Sequence, residues 1–379
     1  MNVGIDVSSL VYGRGVSHYT SNLVRSLLSK PIQVSLYGSS LRQRKNLLRL
    51  ISEMSAGRKL EKIVVQPYPP SLLSFLWQYG LNPVGKRLPK VEVFHSWDYL
   101  QPPDSKLPLV STIHDLAMLK FPQTAHPKIL KMHQNSWKIL KQRQAQIITP
   151  SHSTRRDVIE LLNIDPKMVH VIYEALPFET KVATQKMSEE KYQVIAQRMK
   201  LDKPFIFFVG TREPRKNLDR LIQAWQPLSR DFQLLIAGAE GWDVKNSNKT
   251  SAKVSSENLR FLGRVSDDEL VVLYGEASSF VYPSLDEGFG LPILEAFHHG
   301  TPVVTSNISA MTEVAGNAAE LVDPLSVEDI TRGITKILSE NTEKQRQRLQ
   351  KMIIRLQLFD WSRVASQTID IYQKAIDNK

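Results

Sequence analysis

Two strings in this sequence carry side chains whose types and spacing suit a charged, hydroxyl-rich small molecule. In Gly210-Thr211-Arg212-Glu213-Pro214-Arg215-Lys216-Asn217-Leu218, three cations follow an apolar run, 205–209, that reads as a strand. Fixed positive charge at a strand end, with a helix directly after it, suits a diphosphate leaving group, because the negative charge developing on departure meets cations already in place. Lys216 is the first candidate and Arg215 the second; Arg212 is a third, with Glu213 beside it as a competing ion-pair partner. The other string runs from Ser284 to Ala296 as Ser-Leu-Asp-Glu-Gly-Phe-Gly-Leu-Pro-Ile-Leu-Glu-Ala. A strand ends before it, two glycines loosen the loop, and Pro292 stands where a first helical turn begins. The amides of Phe289, Gly290 and Leu291 then point out of a helix N-terminus, where a phosphate is welcome. Glu287 in the loop and Glu295 about one turn into the helix are acceptor-only groups suited to sugar hydroxyls; the plainer alternative is capping chemistry with a surface glutamate.

The first half offers a glycine-rich turn and two histidines at strand ends. Gly13-Arg14-Gly15-Val16-Ser17-His18 follows the run 3–7 and opens a helix, a setting in which Gly15 would let backbone approach a phosphate. A nicotinamide site needs a third glycine where His18 stands and an acidic residue about 20 positions on, and there is none around 33–38. A tight turn with no ligand is the other reading. His114, in Thr112-Ile113-His114-Asp115, ends a strand and would hydrogen-bond substrate hydroxyls or move protons near neutral pH; His95, ending another, is more simply structural. His298 and His299 are helix neighbours that point apart and make no metal site. Ser151 reads as an N-cap.

Those positions require strands to end and helices to begin around them. Short apolar runs at 3–7, 32–37, 63–65, 91–95, 109–113, 147–149 and 169–172 alternate with helical patterns in the first half, and the alternation restarts at 205–209, 233–236, 259–262, 279–282 and 303–305. That predicts an α/β protein of two Rossmann-like, doubly wound units in tandem, with parallel sheets, facing a central cleft that collects the strand ends. The units fall at 1–176 and 201–360. Between them 177–200, opened by Pro177 and rich in Lys, Glu and Gln, reads as a linker, and 361–376 reads as a final amphipathic helix.

Composition sets the class around these features. With 379 residues, 42% hydrophobic and 23% charged, the chain has the make-up of a globular protein of two domains. The absence of cysteine rules out disulfides, thiolate metal sites and a cysteine nucleophile. No apolar run reaches roughly 18 residues, and the start of the chain lacks the pattern of a secretory signal, so a cytoplasmic protein is expected. The net charge of +11 is uneven: residues 1–176 hold 23 Lys and Arg against 11 Asp and Glu, and 177–379 hold 26 against 27. The basic half suggests an anionic partner, or merely solvated lysines.

Together the strings resemble a known family. Glu287 and Glu295 with seven residues between them around Gly-Phe-Gly-Leu-Pro, the string Gly210-Thr-x-Glu-Pro-Arg-Lys-Asn217, and Thr-x-His114-Asp115 are similar to the retaining glycosyltransferases of family 4, which have the GT-B fold. The resemblance implies metal-independent transfer of a sugar from a nucleotide-diphosphate donor, with no cofactor and with retention at the anomeric carbon. Arg215 and Lys216 match the basic pair on the diphosphate, Gly15 the loop closing over it, and the amides of Phe289, Gly290 and Leu291 the holder of the distal phosphate. Glu287 matches the partner of the donor sugar, Glu295 that of the ribose, and His114 the histidine meeting the donor sugar from the opposite domain. Arg264 and Val265, after Gly263, match the strand end where the base packs. The terminal helix, about 361–379, is expected to cross back and complete the N-terminal, acceptor-binding domain. Thr211 stands where many members have Arg, which leaves open whether Arg212 or Arg215 meets the phosphate. The resemblance also implies front-side displacement, the departing phosphate oxygen taking the acceptor's proton.

The sugar and acceptor are less legible. Mannose from guanosine diphosphate mannose is the preferred donor, and a glycan or lipid-linked molecule the expected acceptor. Arg42, Arg44, Lys45, Arg49, Arg58 and Lys59, interleaved with Leu47, Leu48, Leu50 and Ile51, suggest a basic amphipathic helix on an anionic membrane, and 70–79 adds an aromatic and leucine cluster. Peripheral attachment to the inner membrane face follows as an expectation; the alternative packs both segments in the first domain. No nucleic-acid-binding string is present, so no nucleic acid is expected as a partner. A related epimerase or hydrolase would reveal itself by products from donor alone, and a non-catalytic nucleotide-sugar-binding protein by none.

Overall fold

The computed structural model of the protein describes residues 1–13, 15–240 and 257–378. Its first sheet comprises β1 (Asn2–Asp6), β2 (Gln33–Ser39), β3 (Lys62–Gln66), β4 (Val93–Trp97), β5 (Leu109–Thr112), β6 (Gln146–Thr149) and β7 (Val169–Val171), in the order β3-β2-β1-β4-β5-β6-β7. The second comprises β8 (Phe205–Val209), β9 (Gln233–Ala237), β10 (Leu259–Gly263), β11 (Ser279–Tyr282), β12 (Val303–Ser306) and β13 (Glu320–Val322), in the order β10-β9-β8-β11-β12-β13. Every pairing is parallel. Parallel strands are joined by helices that cover both faces of the sheet, so β9 and β11 are buried along their whole length and read as runs rather than as alternations.

The chain divides into two compact units: Met1–Leu119, Ala125–Glu174 and Asp360–Lys379 form one, Lys120–Thr124 and Ala175–Phe359 the other. The last helix, Trp361–Asp377, packs in the first unit against helix Gly15–Leu27, with Trp361 edge-on to Tyr19 and the Tyr372 hydroxyl 2.7 Å from His95 Nδ1.

Two expectations are corrected. Residues 177–200 are not a linker but hold two helices, Phe178–Gln185 and Glu189–Arg198, packed on helix Asp267–Glu276. Each buries one side chain, Ala183 or Ile195, so no apolar stripe betrays it; Lys191–Asp268 and Arg198–Glu269 ion pairs of 2.7 and 2.8 Å supplement the packing. The short strand β13 also escapes sequence reading. Finally, the basic segment forms helix Arg44–Ser55, but its apolar side is spent inside: Leu47, Ile51 and Met54 are buried. The 70–79 cluster behaves differently. Helix Pro70–Gln78 buries Leu73 and Trp77 and leaves Leu72, Phe75 and, just beyond it, Tyr79 on the opposite side, Tyr79 being 64% exposed.

Candidate active site

In an open parallel sheet, ligands gather where the strand order reverses, because the neighbouring crossovers leave that point on opposite faces. In the second sheet this is between β8 and β11. The basic string follows β8 and the Glu287 string follows β11, so topology alone brings together residues 71 positions apart.

Lys216 ends a short 3-10 turn, Pro214–Lys216, and is buried. Its Nζ donates to Glu287 Oε1 at 2.6 Å and to the Tyr282 hydroxyl at 2.5 Å. Arg215 reaches the other oxygen, Glu287 Oε2, at 2.7 Å, donates to the Asp286 carbonyl at 3.0 Å, and pairs with Glu213 at 2.9 Å. Glu287 is thus clasped by two cations. Burial pushes its carboxyl up, but Lys216 and Arg215 outweigh that and hold it down at about 2. Burial lowers Lys216, opposed by Glu287 and reinforced by Arg215. The loop itself is fixed by backbone ties: Leu285 N–H donates to the Arg215 carbonyl at 2.7 Å, and the Asn217 side chain to the Pro283 carbonyl at 3.0 Å. Ser309 accepts from the Glu287 N–H at 3.2 Å, and Asp286 pairs with Lys120 at 2.7 Å.

The helix after this loop is Leu291–His298, with Pro292 in its first turn. Gly290 is its N-cap at φ 113°, a conformation that favours glycine, and it supplies no capping side chain. Pro292 has no N–H and the Ile293 N–H donates to the Gly290 carbonyl at 3.0 Å, which leaves the Leu291 amide as the first-turn donor that the helix itself cannot satisfy. Phe289 is buried edge-on against Phe359. Glu295 is half-buried, and its Oε2 accepts from the Tyr274 hydroxyl at 2.9 Å.

Arg212 stands apart from this cluster. It pairs with Glu240 at 2.6 Å, not with Glu213, and lies over the Phe261 ring. Arg215, which takes Glu213, is the arginine joined to Lys216. Gly238 allows the loops after β8 and β9 to touch: a Cβ there would sit 2.0 Å from the Gly210 carbonyl oxygen. Arg264 is exposed and Val265 half-buried, just after β10.

In the first unit, His114 lies just beyond β5. Its Nδ1 is 3.1 Å from Glu174 Oε1, its ring stacks on Trp97 and meets Tyr19 edge-on, and its Nε2 is buried with no hydrogen-bond partner among the described residues. Burial alone would lower its pKa; the Glu174 hydrogen bond and charge, with Asp98 and Asp115, raise it instead. A raised folded value gives stability that is full below the unfolded value of about 6.5 and is lost as pH rises through the folded one. Glu174→Gln removes the main support against burial, so the His114 titration, followed by NMR of the ring protons, moves to lower pH; an unmoved titration would contradict the pairing. His95 is structural: both ring nitrogens are occupied, by Tyr372 and by Thr112 at 2.8 Å, and burial lowers it to about 3. Gly15 opens helix Gly15–Leu27 in open space, whereas Gly13 has φ 59°; Arg14 lies outside the described residues. Ser151 caps helix His152–Leu162 through the Thr154 N–H at 3.0 Å. Sequence reading missed Tyr282, Tyr274 and Glu174, the groups that hold Lys216 and Glu287, Glu295 and His114. Among the described residues no group of three or more His, Asp or Glu is placed to hold a metal ion.

Two Rossmann-like parallel-sheet units, one with a cation-clasped glutamate and an uncapped helix start at its switch point, define an α/β protein of the GT-B class. Residues 13–179 match the family model described as Glycosyltransferase Family 4, and residues 191–354 the one described as Glycosyl transferases group 1. Matched in both halves, the chain belongs to the family 4 glycosyltransferases. Over 237 residues it is 32% identical to the O-antigen chain mannosyltransferase B of Escherichia coli, covering 60% of this chain and 60% of that protein. Over 236 residues it is 27% identical to the MMP alpha-(1->4)-mannosyltransferase of Mycolicibacterium hassiacum, covering 61% and 54%. The matched part of the chain thus spans 60% or less of the length of these two relatives. Among solved structures, a glycosyltransferase from Rickettsia africae aligns with a TM-score of 0.74 at 14% identity, over 100% of this chain and 99% of that one. The Anabaena protein HepE, solved in complex with UDP and glucose, aligns at 0.71 and 16%, over 99% and 100%.

Proposed function

We propose that this chain is a retaining, metal-independent hexosyltransferase that moves a hexose, with mannose preferred, from a nucleotide-diphosphate sugar to a glycan or lipid-linked acceptor. The observation that carries the reading is the pair Lys216 and Arg215 on Glu287 at the switch point, beside the uncapped start of helix Leu291–His298. As the bond from the anomeric carbon to the diphosphate oxygen breaks, the cations and the first-turn amides of Gly290 and Leu291 take up the growing charge. The acceptor oxygen bonds to the same face of that carbon, and its proton passes to the departing phosphate oxygen. Glu287, kept ionised, accepts from donor-sugar hydroxyls, Glu295 from ribose hydroxyls, and His114 meets the sugar. The mannosyltransferase names of the relatives support mannose.

The test is a panel of nucleotide sugars scored by thermal shift and then by products, in the presence of a chelator. Transfer from GDP-mannose to a mannoside acceptor is expected. Free sugar or an epimer from donor alone would replace this reading by a hydrolase or epimerase, and no turnover would replace it by a binding protein.

We further propose peripheral attachment to the inner, anionic membrane face, in the cytoplasm. No helix among the described residues is long and apolar enough to cross a membrane. Leu72, Phe75 and Tyr79 form an outward stripe on helix Pro70–Gln78, followed by exposed Leu81 and by Lys86 and Arg87 in helix Val84–Arg87. An aromatic and leucine stripe with cations alongside suits an interface of acyl chains and anionic headgroups. Binding to anionic liposomes at low salt is expected to fall at least tenfold when Leu72 and Phe75 become Ser; binding by neither protein would refute the attachment.

A further inference from the structure

We propose that Tyr282 is a positioning residue of this site: its hydroxyl locks Lys216 and Glu287 into one fixed arrangement before any donor arrives. The proposal rests on the hexosyltransferase reading. Tyr282 is the last residue of β11 and is buried. Its oxygen lies 2.5 Å from Lys216 Nζ and 2.8 Å from Glu287 Oε1, and those two atoms are 2.6 Å apart, so the three polar atoms close a triangle. The proton placement has one solution. An ammonium only donates and a carboxylate only accepts, so Lys216 donates to both oxygens and the single phenol proton goes to Glu287.

The phenol is well held. Its ring stacks on Phe280 and lies tilted against Phe208, with centroids 5.7 and 6.1 Å away, and its backbone carbonyl accepts from the Thr305 hydroxyl at 2.8 Å. Lysine by contrast is a point charge on four rotatable bonds, and Glu287 sits in a loop. Phenylalanine would fill the same space, so packing does not call for the hydroxyl. What the hydroxyl adds is a second acceptor for the buried ammonium and a neutral donor to the carboxylate beside its two cations, which fixes charge that would otherwise have to reorganise during the reaction. Sequence position gives no hint of this, because the strand reads simply as apolar.

Tyr282→Phe tests it in the full chain, with GDP-mannose as donor. The expected loss in kcat is about tenfold to a hundredfold, the size of a hydrogen bond to a charged group, with donor KM changed less than about threefold. Lys216 is faced by Glu287, Arg215, Glu213 and Tyr282. Losing the Tyr282 acceptor makes it easier to deprotonate, so the alkaline limb of the pH profile moves to lower pH. In a Lys216→Met background the same change adds less than about twofold, since the two act as a unit. The melting temperature reports folding separately. An unshifted alkaline limb with unchanged kcat, or a loss that simply multiplies with that of Lys216→Met, overturns the proposal while leaving the hexosyltransferase reading intact. If the wild-type chain turns over no nucleotide sugar in the panel, that reading falls and the proposal with it.

Discussion

Lys216→Ala lowers kcat for sugar transfer by about a hundredfold or more, the scale expected when one preorganised charge at a reacting group is lost. The structure supports a large value because the ammonium is buried and held by two oxygens, so it is worth more than a solvated lysine at the same distance. Arg215 remains and still clasps Glu287 Oε2, which predicts a folded protein with residual activity rather than an unfolded one. Steady-state turnover of the purified variant checks this, and undiminished activity would remove Lys216 from the reaction.

The second large effect falls on Glu287. Glu287→Ala takes from the buried Lys216 ammonium its bound carboxylate and leaves only Glu213, itself held by Arg215, to balance the two cations; breaking one side of a buried ion pair costs about 3 to 5 kcal/mol. At about 2 to 4 °C per kcal/mol for a unit of this size, melting falls by roughly 6 to 20 °C. Glu287→Gln keeps an oxygen for one cation and should lie between. Activity is expected to fall with both variants, because Glu287 orients the cations and, in the proposed reaction, faces the donor sugar. A melting temperature unchanged in Glu287→Ala would show that the cations have other partners and that the clasp described here does not hold.

Much of the fold was legible because a parallel strand covered on both faces announces itself as an apolar run; 205–209 and 279–282 coincide with Phe205–Val209 and Ser279–Tyr282, and the others differ by one or two residues at one or both ends. The elements that escaped lack that signal. β13 is three residues with a glutamate, Glu320, tolerable there because Arg332 and Lys336 hold its two oxygens. The helices in 177–200 are polar because one buried side chain apiece suffices. Arg44–Ser55 looked membrane-facing because amphipathicity says that one side is covered and not by what; the cover is the protein's own core.

For the site, motif spacing identified Lys216, Arg215 and Glu287 as residues of one place. It did not reveal that they bind one another, since strand order, not sequence distance, makes them neighbours. Tyr282, Tyr274 and Glu174 were illegible for the same reason. Each lends one oxygen to a residue 5, 21 or 60 positions away, and nothing local marks it. His95 shows the converse, a histidine at a strand end whose two nitrogens are both used up in holding the fold.

The central claim is that basic side chains and backbone amides of the second unit grip the diphosphate without a metal ion. Calorimetric titration of GDP and UDP into the wild-type chain and into Lys216→Ala and Arg215→Ala, each with excess EDTA, tests it most directly. Tight binding of one nucleotide by the wild type, weakened about tenfold or more in both variants, is the predicted result. Binding that needs added divalent cation, or that is indifferent to both substitutions, would contradict it.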